Sequence, residues 1–84
     1  MKRVGRLMEK QLSELKPAER GVIVKVIGTG SVRRRMLDMG LVKGAEIVVV
    51  RRAPLGDPIE FQLKGYNLSL RKEEAKNVFV RVEK

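Results

Sequence analysis

Histidine and cysteine, the side chains that most often move protons or attack carbonyls near neutral pH, are both absent from this sequence. The hydroxyls that remain are Ser13, Thr29, Ser31, Ser69 and Tyr66, and none has a neighbour that would activate it. A pair of carboxylates can run hydrolysis, but Asp38, Glu46, Asp57 and Glu60 fall in four different segments. Metals are no better supplied. Soft and transition metals favour imidazole and thiolate, and no carboxylate spacing matches an all-oxygen cation loop. The inventory points to a binding module rather than an enzyme, with no catalytic residue, no cofactor and no dedicated metal site expected.

Chemistry for recognition is present. Arg33-Arg34-Arg35 is the densest charge cluster, suited to a phosphate or an acidic protein face. An arginine supplied to a partner can also stabilise phosphoryl-transfer charge. Leu55 lies between Pro54 and Pro58, where an exposed apolar side chain on a stiffened loop makes a preorganised anchor. Arg33, Arg34 and Leu55 are the expected partner-binding residues, with Tyr66 as a fourth. Gly28-Thr29-Gly30 looks like a phosphate loop, but it lacks the third glycine of a dinucleotide fingerprint and the Lys-Ser/Thr of a P-loop.

The elements that must position these residues are short. Eighty-four residues make one domain, and without Cys or His it has no disulfide or zinc staple. Stability must come from a modest apolar core. Val22 to Ile27 reads as a first strand, with Val22, Val24 and Val26 on one face. Ser31 is placed to cap a helix over residues 32–39, and Gly40 to end it with Leu41 folded back on the last turn. Ala45 to Arg52 is a second strand. Ile59-Glu60-Phe61-Gln62-Leu63-Lys64 alternates, so Ile59, Phe61 and Leu63 face inward. Leu68 to Leu70, one helical turn within 71–77, and a strand with Val78, Val80 and Val82 aligned complete the chain. The fold class expected is mainly β, a small five-stranded barrel with one short helix after the first strand. Residues 1–11 read as an extension, either frayed or a short helix, before a domain at 12–84.

A formal charge of +9 favours nucleic acid, anionic lipid or an acidic protein as partner. The aromatics are only Phe61, Tyr66 and Phe79, a thin stacking platform for single-stranded nucleic acid. The longest apolar run is Ile47 to Val50, far below the ~20 residues of a spanning helix.

Four of these blocks, read together, resemble the FeoA (ferrous iron transport protein A) family: residues 12–17, Arg33-Arg34-Arg35-Met36-Leu37-Asp38-Met39-Gly40-Leu41, Arg52-Ala53-Pro54-Leu55-Gly56-Asp57-Pro58-Ile59, and Gly65 to Arg71. The resemblance spans about residues 12–83. It implies an SH3-like barrel and a cytoplasmic location at the inner face of the membrane. It also implies contact with the FeoB membrane transporter, which carries a cytosolic GTP-binding domain, and supplies no active-site residues. Two positions depart from the family pattern: Ala18 stands where Gly is common, and Lys43 where Pro is common. A basic SH3-like barrel binding nucleic acid is the alternative reading.

Overall fold

Apolar alternation defines two strands of the protein without further help. In a computed structural model that describes residues 7–83, Ile59–Leu63 is a strand that buries Ile59, Phe61 and Leu63. Val78–Glu83 is another, burying Val78, Val80 and Val82. In chain order the strands are β1 (Leu7–Gln11), β2 (Arg20–Val26), β3 (Glu46–Arg52), β4 (Ile59–Leu63), β5 (Tyr66–Leu70) and β6 (Val78–Glu83). Helix α1 (Gly30–Asp38) follows β2, and the one-turn α2 (Lys72–Ala75) joins β5 to β6. A 3-10 turn, Leu12–Glu14, follows β1. All six strands lie in one antiparallel sheet in the order β1-β6-β2-β3-β4-β5.

The sheet has one strand more than the five expected. The extra strand is β1, which pairs along its length with β6 from Leu7↔Glu83 to Gln11↔Phe79. Residues 7–11 are thus neither frayed nor helical. Mixed charge hides an edge strand from any periodicity test, because only one of its edges is paired and neither face is fully covered. Residues 1–6 of the expected extension lie outside the described residues.

Two register shifts bend the sheet, one between Ile23 and Lys25 in β2 and one between Val49 and Arg51 in β3. Each adds a residue on one strand and sharpens the local twist. The first also breaks the expected face of β2. Ile23 and Val26 are buried, while Val22 and Val24 are only half-buried. The core gathers Phe61, Met36, Leu41, Ile23, Ile47 and the three β6 valines, with Leu12 and Leu15 closing one end. That end is tied to the sheet by Arg52, whose guanidinium donates to the carbonyls of Ser13 at 2.7 Å and Leu15 at 2.9 Å.

Helix α1 starts two residues earlier than expected, so Ser31 sits in its first turn rather than at its cap, which is Thr29. Its end behaves as the sequence implies. Gly40 takes φ +96°, its N–H bonds to Leu37 O, and Leu41 N–H reaches back to Met36 O. This double closure requires a left-handed residue, which glycine adopts without steric cost. Leu41 is buried as a result.

Candidate partner-binding surface

The three arginines of α1 have different surroundings. Arg33 folds back and its Nε donates to Val26 O at 3.1 Å, fastening the helix to the end of β2. Arg35 forms an ion pair with Glu74 and so joins α1 to α2. Arg34 has no hydrogen bond or ion pair among the described residues. It lines a shallow open depression with Ser31 and Asp38. Of the cluster, then, Arg34 is the guanidinium with no partner among the described residues, and exposed Arg33 commits its Nε to the fold. Sequence singles out Arg33 and Arg34; the structure separates those two by which elements pack beside each.

Leu55 is 96% exposed, the extreme among large apolar side chains of the described residues. Its loop is nonetheless fixed. Ala53 N–H bonds to Pro58 O at 2.9 Å, Gly56 N–H bonds to Ala53 O at 2.7 Å, and the Asp57–Pro58 peptide is cis. Asp57 Oδ1 also accepts the N–H of Lys72 at 2.8 Å, which docks the loop on the start of α2. A chain of contacts therefore runs from the Leu55 loop through α2 and the Glu74–Arg35 pair to α1.

Tyr66 does not join this group. Its hydroxyl donates to Met39 O at the C-terminal end of α1. It stands at the turn end of the β4–β5 hairpin, opposite Leu63, whereas the Leu55 loop leads into Ile59 at the other end. Four strand steps of about 3.4 Å, roughly 14 Å, separate the two ends. The contacts thus link the element that carries Arg34 to the loop that carries Leu55 through α2, and leave Tyr66 as a separate clasp.

The aromatic platform is thinner than composition implies. Phe61 is fully buried, Lys25 Nζ lies 4.9 Å from the centre of the Phe79 ring, and the Tyr66 hydroxyl is engaged.

A second concavity was not anticipated. An open groove of about 730 Å³ lies where β3 and β4 part, and Arg20, Glu46, Gln62 and Lys64 line it with Tyr66. No local pattern announces it, because it arises from two strands diverging rather than from any one segment.

Comparison with known proteins agrees with this geometry. The family model of the FeoA domain matches residues 10–82. A fusion of Fe(2+) transport protein A with the Fe(2+) transporter FeoB, from Porphyromonas gingivalis, is 47% identical over 70 residues. That match takes in 83% of this chain and only 8% of the fusion protein. A FeoA-like protein from Clostridium acetobutylicum superposes with a TM-score of 0.82 at 42% identity, covering 88% of this chain and 86% of that one. A FeoA from Stenotrophomonas maltophilia, crystallised with zinc and described as a prokaryotic SH3 domain protein, gives a TM-score of 0.72 at 34% identity, with 82% and 86% covered. The six-stranded sheet with its short helices is thus the SH3-like fold of these proteins.

Proposed function

Because the chain belongs to the FeoA domain family, we propose that it is a small cytosolic accessory protein of bacterial ferrous iron uptake, acting by direct contact with a FeoB-type membrane transporter. The observation that carries this reading is the relative in which the two proteins form one polypeptide. A covalent join holds the two partners at high effective concentration, which favours even a weak contact between them. No helix among the described residues is long and apolar enough to cross a membrane, which is compatible with an accessory role beside a spanning partner.

Arg34 and Leu55 are the residues that make the contact. Leu55 supplies apolar area with little ordering cost, because its loop is already fixed by three hydrogen bonds. Arg34 supplies a planar, fully charged group for a carboxylate or phosphate on the partner. Iron, as the cargo, belongs to the transporter's path.

The test is a pull-down with the cytosolic region of the transporter, run at low salt and with guanine nucleotide. It is paired with ferrous uptake in a strain lacking this gene. Retention of the transporter region and a changed uptake rate are expected. No retention in any condition, together with unchanged uptake, refutes the proposal.

A further inference from the structure

The groove between β3 and β4 has a backbone edge as well as side chains. Ile23 N–H bonds to Ala45 O, and Val49 N–H bonds to Glu19 O. Antiparallel strands turn successive residues' backbone groups to alternate sides. Ala45, Ile47 and Val49 therefore turn their groups toward β2, and Glu46 and Val48 turn theirs toward β4. Val48 meets Gln62 there, and the ladder with β4 runs no further toward the turn. Glu46, still in the β2 register opposite Val22, is left with its N–H and C=O facing open space. No hydrogen bond joins it to Lys64, the next position along.

The side chains state what fits. On the outward side of the sheet the groove carries Arg20 and Lys64 against one carboxylate, Glu46. All three are exposed, and none has an ion-pair partner among the described residues. On the inward side it is floored by Ala45, Ile47 and Leu63. An extended segment lying in the plane of the sheet turns alternate side chains to these two sides. One set meets cations and the other meets a tight apolar floor.

We infer that this groove takes an extended peptide segment of a partner by strand addition on Glu46, with acidic side chains toward Arg20 and Lys64 and small apolar ones toward Ile47 and Leu63. Main-chain bonds supply affinity in such docking, and alternate pockets supply selectivity. The site is separate from the Arg34–Leu55 surface. It deepens the proposed contact with the transporter, and rests on that reading only for the identity of the partner.

The experiment uses the isotope-labelled full chain and two acetylated, amidated hexapeptides, one alternating Asp and Val, the other Lys and Val. The acidic peptide is expected to cause saturable amide shifts confined to residues 20, 44–48 and 62–66, and the basic one to bind about tenfold more weakly. Replacing Arg20→Glu and Lys64→Glu together is expected to weaken the acidic peptide about tenfold. Glu46→Gln is expected to strengthen it about twofold, a gain that no unfolding can mimic. No saturable shift up to about 1 mM peptide overturns the inference. So does equal binding of the two peptides, or a footprint elsewhere. With the transporter's cytosolic region as ligand, binding that ignores the Arg20/Lys64 reversal removes the groove from that contact and leaves the contact standing. Absence of any binding, together with unchanged ferrous uptake, refutes the proposed function, while the peptide footprint stands on its own.

Discussion

Ala18 holds a left-handed backbone at φ +73°, kept there by its N–H bond to Val49 O and the Glu19 N–H bond to Lys16 O. A side chain in that region costs roughly 1–2 kcal/mol. Glycine removes the cost but gives back about 0.4–1 kcal/mol through a looser unfolded chain. Ala18→Gly is therefore expected to stabilise the protein by about 0.5–1 kcal/mol, a rise in Tm of about 3–5 °C, read by thermal and urea unfolding. Leu55 sets the opposite case. Fully exposed, it carries no folding energy, so Leu55→Ala should leave stability within about 0.5 kcal/mol. The same change should weaken transporter binding by about tenfold, because burying a leucine is worth roughly 1.5–3 kcal/mol. Both residues stand out in the sequence, Ala18 as a departure from a glycine position and Leu55 from its flanking prolines. Arg33 and Arg34 cannot be told apart there, since charge in a sequence carries no direction. Arg33 reaches Val26 and Arg35 reaches Glu74 only because β2 and α2 pack beside α1.

At the scale of elements, helix α1 is held at its end by one mutual fit. An added methyl at Gly40 would collide with the Tyr66 hydroxyl, the group that bonds to Met39 O. Gly40→Ala should cost about 2 kcal/mol or more, from the left-handed backbone and the collision together. Tyr66→Phe should cost about 1 kcal/mol, the net worth of one hydrogen bond. The two should not add, because the phenylalanine removes the atom that the methyl strikes. A double variant no less stable than Gly40→Ala alone is the expected result in denaturant unfolding. Arg52 plays the same part at the other end of the sheet. Arg52→Ala leaves the Ser13 and Leu15 carbonyls without their donor and should cost about 2 kcal/mol. The elements with a local cause were readable: β4 and β6 from alternation, the end of α1 from Gly40-Leu41. β1 was not, because its existence depends on β6, nearly the whole chain away. The facing of β2 was not, because a register shift between Ile23 and Lys25 is set by its partner strand.

The whole molecule carries +9 charge, with 19 basic residues against 10 acidic. A field of that size speeds the approach of an acidic partner and is screened beyond about 8 Å at physiological salt. Association with the transporter region should therefore slow steeply as salt rises, while dissociation changes little, a difference that stopped-flow mixing resolves. Fold class and size followed from composition and pattern. The groove between β3 and β4 did not, because it is a property of how two strands separate.

The pairing of β1 with β6 also governs how the protein is made. Met8 lies opposite Val82, so the first strand described waits for the last before its ladder can close. A ribosome adding about 5–20 residues per second holds the nascent chain open for several seconds in that condition. Throughout that interval β2 also lacks one of its two neighbours, since β6 lies between it and β1. Emergence of β6, rather than of any earlier segment, is the moment at which this sheet completes. Wherever further polypeptide follows β6, the sheet can close while the remainder is still being translated.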